Sequence, residues 1–197
     1  MDYQFLLLNL CGLFVVDDNG VDDDDLTKLV MELGVPSISN VHLVKDRGNS
    51  FFREGNFVLA ARHYIQAIKL VCFLGLPPAH DQPVATSLCL SLVLNLAVCE
   101  LKLSQYNRVC CYCSFVLSFD PTNVKALYRR GLAFKHLNLL SEAIDDFEHA
   151  VKFEPQHSDV NWELLSVADL LLLNVNGKRV AFPFNPLSSD KKGRNLC

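Results

Sequence analysis

From Val41 to Val175 apolar residues recur at three- and four-residue spacing, interrupted by short polar or glycine-bearing turns. That spacing predicts a succession of amphipathic helices of about 12–15 residues. The pattern also repeats on a longer scale. Ala97 and Gly131, Val109 and Ala143, and Cys113 and Phe147 are all separated by the same interval as Pro121 and Pro155. A third copy places Gly48, Ala60, Tyr64 and Ala67 at the offsets of Gly131, Ala143, Phe147 and Ala150. A fixed period of this length means stacked helix pairs, each burying its apolar face against the next.

Within each unit the residue types fit that packing. Small residues (Gly48, Ala97, Gly131, Ala60, Ala143) stand where neighbouring helices must approach closely, and Phe51, Tyr64, Phe134 and Phe147 fill the spaces between. Pro121 and Pro155 end the second helices of the last two units, because proline cannot continue a helix. Glu54-Gly55-Asn56 and Leu139-Leu140-Ser141 read as the turns inside units one and three, with Ser141 as an N-cap. The first unit is longer than the others. Its extra stretch, Cys72 to about Ser87 with Gly75, Pro77, Pro78 and Pro83, reads as an extended second helix followed by a proline-bearing loop.

The expected division is therefore an acidic, largely flexible segment over 1–40, repeats over about 41–87, 88–121 and 122–155, a capping helix over 158–175 and a flexible tail over 176–197. The run Phe5–Val16 is apolar, but Asp2 stands where a signal peptide needs basic residues, so no targeting role is assigned to it. A short helix is expected around Leu26–Leu33. Trp162, on the capping helix, reads as a packing residue.

Charge changes the picture only at the front. The net charge is −4, yet residues 1–40 carry eight acids against one base, Lys28, and residues 41–197 carry 14 acids against 17 bases. So small a surplus does not point to nucleic acid as a partner. No stretch reaches the run of about 18 uninterrupted apolar residues that marks a membrane span. The eight cysteines do not form a disulfide framework by spacing. Cys89, Cys99, Cys110, Cys111 and Cys113 fall inside helices, where cysteine packs as a small hydrophobe, and a reducing compartment, cytoplasmic or nuclear, is expected.

Catalytic chemistry finds no support. The six histidines have no metal-ligand spacing, and there is no phosphate loop, dinucleotide-binding glycine motif or nucleophile elbow. The block Asp17–Asp25 lacks the sixth-place glycine and the closing glutamate of a calcium loop. No enzyme activity, cofactor or metal is expected.

The period, about 34 residues with small residues at fixed places, resembles the tetratricopeptide repeat (TPR) over about residues 41–160. That resemblance implies an all-α fold: three helix-turn-helix repeats in a right-handed superhelix plus a capping helix. The long first connection is similar to that of the TPR domains of FKBP-type immunophilins and their relatives. So are the phrases Leu94-Asn95-Leu96-Ala97 and Asn123-Val124-Lys125-Ala126-Leu127-Tyr128-Arg129-Arg130-Gly131.

On the first helix of unit one, Lys45 and Asn49 are four apart and share a face; on that of unit three, Lys125 and Arg129 do the same. On that of unit two, Asn95 stands alone among apolar residues. The set Lys45, Asn49, Asn95, Lys125 and Arg129 resembles the carboxylate clamp of co-chaperone TPR domains. The resemblance implies binding of the C-terminal Glu-Glu-Val-Asp tail of chaperones of the heat-shock protein 90 and 70 classes. It leaves two alternatives: the TPR portion of a larger FKBP-type prolyl isomerase without its catalytic domain, or a scaffold for another acidic peptide. Arg130, beside Arg129, reads as a surface residue.

Overall fold

The computed structural model describes residues 6, 9, 37–75 and 81–175, with the backbone alone at 174 and 175. The acidic block, the helix expected near Leu26–Leu33, Pro77, Pro78 and the tail beyond 175 lie outside the described residues. From residue 37 onward seven helices follow one another: α1 (Ile38–Arg53), α2 (Phe57–Leu74), α3 (Gln82–Lys102), α4 (Tyr106–Phe119), α5 (Val124–His136), α6 (Leu140–Phe153) and α7 (Ser158–Val175). Each packs on the next, and α5 also packs on α3 and α7. No strand occurs among the described residues.

The turns inside the three pairs share one design. Gly55, Ser104 and Asn138 take positive φ values of 79°, 60° and 61°. In each case the next residue donates its N–H to the carbonyl five residues back: Asn56 to Phe51, Gln105 to Glu100, Leu139 to Phe134, all at 2.9 Å. This is a left-handed helix stop that satisfies the otherwise orphaned carbonyls. It also corrects the turn of unit three. The break falls at Leu137–Leu139, Leu139 is the N-cap of α6 and has no side-chain cap bond, and Ser141 lies inside the helix. The physical reason is that Asn138 tolerates the left-handed conformation better than its leucine neighbours.

The first connection differs from its expected form too. Pro83 sits in the first turn of α3, not in a loop. Proline is tolerated there because the N–H it lacks has no helical acceptor. The extra residues lengthen α2 to 18 residues, against 14 for α4 and α6, which is the extended second helix expected, and also lengthen α3 to 21, against 16 for α1 and 13 for α5.

One cluster of buried side chains fills units one and two, with Tyr64, Ile68, Leu92, Leu96 and Tyr112 at its centre; Leu6 belongs to it. A second, around Leu127, Phe147, Val160 and Val167, joins unit three to α7. By length and composition α2 and α3 would suffice to cross a bilayer (mean hydropathy 1.4 and 1.9), but half and two-thirds of those stretches are buried inside the fold. Their apolarity is that of core helices.

Close approach explains the glycines. A Cβ on Gly48 would lie 2.8 Å from the Tyr64 ring, and one on Gly131 would lie 2.7 Å from Phe147. The matching pair in unit two is Ala97 with Cys113, both fully buried, where a smaller partner leaves room for a methyl group. Cys89 and Cys99 are buried as well, whereas Cys110 is half-buried and Cys111 is exposed, so Cys111 does not serve the core. Burial pushes the Cys113 thiol up to about 12 even though Arg129 pulls it down, and such a thiol is chemically inert.

Trp162 is not a packing residue: it is 63% exposed. The face of α7 that meets the core runs through Val160, Leu164, Val167 and Leu171. Trp162 comes two residues after Val160, about 200° around the helix. Lys135 clamps α7 to α5 instead, donating to Glu163 at 2.7 Å and Ser166 at 3.1 Å.

Two stacked histidines should make the fold sensitive to mild acid. His63 lies against Phe51 (centroids 5.1 Å) and His136 against Tyr106 (4.4 Å). Burial, helped by Arg47 beside His63 and Lys135 beside His136, holds both below the ordinary value of 6.5. The unfolded chain thus takes up these protons first as pH falls. Stability should be level above about pH 7 and decline as pH drops below about 6.5. Urea melts at pH 7.5 and 5.5 check this, and His63→Gln should flatten the difference; an unchanged midpoint in the unmodified chain would contradict it.

Candidate functional site

Four of the five predicted residues make hydrogen bonds that join the first helices of the three pairs, α1, α3 and α5, and of these only Asn49 and Asn95 bond each other. Lys45 on α1 donates to Ser91 Oγ on α3 at 2.9 Å. One turn further along, Asn95 Nδ2 on α3 donates to Asn49 Oδ1 on α1 at 3.4 Å. These two rungs span the same 46 residues of sequence, as two helices running side by side in the same direction require. Across the next gap, Arg129 on α5 donates from Nη1 to the Leu94 carbonyl at 2.7 Å. Lys125 is one turn before Arg129 and exposed.

The amide of Asn49 is held from behind. Tyr64 on α2 is fully buried, and its hydroxyl donates to Asn49 Oδ1 at 2.7 Å. With its oxygen accepting from Tyr64 and Asn95, the amide turns its Nδ2 outward, where it donates to Asp46 at 3.3 Å. The Gly48–Tyr64 approach thus has a second use: it delivers the hydroxyl to the site. Ser91 and Tyr64 were both missed as site residues. A serine in an apolar helix and a core tyrosine carry no distinguishing signal. The one available hint is that Ser91 precedes Lys125 by the repeat interval, as Asn95 precedes Arg129.

Burial divides the five. Asn95 is 7% exposed and Arg129 4%, whereas Lys45 and Asn49 are half-buried. Three cations, Lys45, Lys125 and Arg129, therefore stand along a face formed by α1, α3 and α5, with amide donors between the first and the last. Such a face suits an anion with several acceptor oxygens.

Arg130 is not a surface residue. It forms a two-pronged ion pair with Asp146 on α6 (Nε to Oδ2 2.8 Å, Nη2 to Oδ1 2.7 Å) and donates to Ser114 on α4 at 2.9 Å. The adjacent arginines thus divide the work: Arg129 points to α3, and Arg130 ties α4, α5 and α6 together.

A crevice of about 580 Å³ lies elsewhere, between α2 and the α3–α4 turn, lined in part by Leu59, Arg62, Ile65, Glu100 and Arg108. It contains none of the five residues. Its buried carboxylate, Glu100, pairs with Arg108 at 3.7 Å.

No family model matches the chain. Outer envelope protein 61 of Arabidopsis thaliana is 32% identical over 141 residues, covering 72% of this chain; the chain spans only 24% of that protein's length. Among solved structures, the C-terminal TPR-containing domain of a Plasmodium falciparum FK506-binding protein superposes with a TM-score of 0.64 at 26% identity, covering 69% of this chain and 91% of that one. The second TPR domain of human RPAP3, solved with an HSP70 peptide SGPTIEEVD, gives 0.52 at 29% identity, covering 65% and 98%. With three helix pairs, a left-handed turn residue inside each pair and these likenesses, residues 38–175 are a tetratricopeptide-repeat domain.

Proposed function

We propose that this domain is a non-catalytic co-chaperone adaptor whose α1–α3–α5 face binds the C-terminal tail of a chaperone of the heat-shock protein 90 or 70 class. The observation that carries the reading is the pair of α1–α3 hydrogen bonds, Lys45 to Ser91 and Asn95 to Asn49, with Arg129 fixed against α3 and Lys125 one turn away. A chain ending in aspartate offers two carboxylates on one residue, and cations and amides answer them with charge-assisted hydrogen bonds. Each is worth about 1.5–3 kcal/mol net, so two or three surplus contacts give micromolar affinity. Helices that hold the donors beforehand reduce the entropic cost of binding. The human domain solved with a peptide ending in Glu-Glu-Val-Asp supports the ligand class. A reducing cytoplasmic or nuclear setting is part of this reading, since Cys110, Cys111 and Cys113 are thiols within one helix.

Calorimetry against Met-Glu-Glu-Val-Asp and its C-terminal amide tests the clamp. The free acid should bind in the micromolar range and the amide at least about tenfold more weakly, as expected for loss of a charged hydrogen bond. Equal binding of both would refute a clamp and favour a scaffold for internal acidic peptides. The likeness to an FK506-binding protein's TPR domain favours a second reading, in which this domain serves a larger isomerase. In either case these residues should not accelerate prolyl isomerisation, and turnover by the purified chain would overturn that.

A further inference from the structure

We propose that Ser91 is a sixth residue of this site, a positioning residue that holds the Lys45 ammonium over the α1–α3 seam so that it meets the ligand already oriented. The inference rests on the clamp reading above and adds a residue to it. Three observations carry it. Lys45 Nζ lies 2.9 Å from Ser91 Oγ, across two helices and 46 residues of sequence. The Ser91 hydroxyl donates to the Leu88 carbonyl at 2.9 Å, so its hydrogen is engaged and its oxygen is turned to accept from the lysine. Finally, Ser91 is one turn before Asn95, as Lys45 is before Asn49 and Lys125 before Arg129, so each of the three helices presents a pair four residues apart on the same face.

The physical consequence concerns entropy. A lysine side chain has four rotatable bonds, and fixing them when the ligand arrives costs affinity. A hydrogen bond made beforehand moves part of that cost into folding. An ammonium has three N–H donors, so one bond to Ser91 leaves two for a carboxylate. Asn95 alone would not hold Lys45, since its Nδ2 is directed to Asn49.

The test uses the full chain. Against Met-Glu-Glu-Val-Asp, Ser91→Ala should bind about three- to tenfold more weakly, and Ser91→Thr, which keeps the hydroxyl, should stay within about twofold of the unmodified protein. In a Lys45→Ala background Ser91→Ala should add almost nothing, while in a Lys125→Ala background its full effect should persist. Equal losses in the two backgrounds, or no loss at all, would overturn the proposal. A second measurement needs no ligand: acylation by acetic anhydride, read by mass spectrometry, should modify Lys45 at least about twofold faster in Ser91→Ala than in the unmodified chain, because a hydrogen-bonded ammonium is less available. Lys152 on α6 serves as the unchanged control. Equal Lys45 rates would refute the positioning role. Unequal rates with no peptide binding by the unmodified chain would remove the clamp reading and leave the Lys45–Ser91 contact standing.

Discussion

Asp146→Ala should destabilise the domain by about 3 kcal/mol, which is a large part of the stability of a domain this size. Asp146 is 3% exposed, and both of its oxygens accept from the Arg130 guanidinium. The Asp146 hydrogen bond is also the main reason the Arg130 pKa is raised, against the opposing effect of burial. Without the carboxylate, Arg130 keeps only Ser114 and the Phe134 ring, 5.7 Å from its guanidinium carbon. Its side chain retains 23% exposure, so water recovers some of the loss and the figure sits at the lower end for a broken buried pair. Replacing both partners, Arg130→Met with Asp146→Leu, should cost much less than the single change, because no charge is then left unpaired. Urea titration reads both. A single-variant loss below about 0.5 kcal/mol would mean that the pair is no more than a surface contact.

Substitutions in the clamp should separate by burial. Lys45→Ala and Lys125→Ala are each expected to weaken binding of Met-Glu-Glu-Val-Asp about tenfold or more, with thermal unfolding almost unchanged, since Lys125 is exposed and Lys45 only half-buried. Arg129→Ala should lose binding to at least the same degree and stability as well. Arg129 is 4% exposed and bonds the Leu94 carbonyl at 2.7 Å, so truncation removes a charged hydrogen bond and leaves a cavity between α3 and α5. Lys125 is therefore the clean probe of charge, whereas Arg129 reports on packing and recognition together. Retained affinity in Lys45→Ala and Lys125→Ala, with unchanged circular dichroism, would remove these residues from the site. Raising the salt concentration should weaken binding too, because part of the attraction is between exposed charges.

Much of the fold was legible because repetition amplifies a weak signal. No single glycine or alanine marks a repeat. Gly48, Ala97 and Gly131 do so together, since at one shared offset they are followed by Ala60, Val109 and Ala143, each small or β-branched. The reading failed where the local rule was weaker than the tertiary demand. Ser141 is a better N-cap by residue type than Leu139, yet the left-handed turn at Asn138 fixed the start of α6. Trp162 looked like core by its size, and the rotation of α7 against α5 and α6 put it outside.

The order of residues by itself determined that this is an all-helical repeat with a polar set in register on its first helices, because helical periodicity and residue type are local properties. Which side chains meet was decided only by the tertiary structure. Lys45 with Ser91, Asn49 with Tyr64, and Arg130 turned toward Asp146 while Arg129 turns toward Leu94 all depend on how each helix is rotated against its neighbours. That rotation is fixed by the interlocking of whole helix surfaces, and no short stretch of sequence records it.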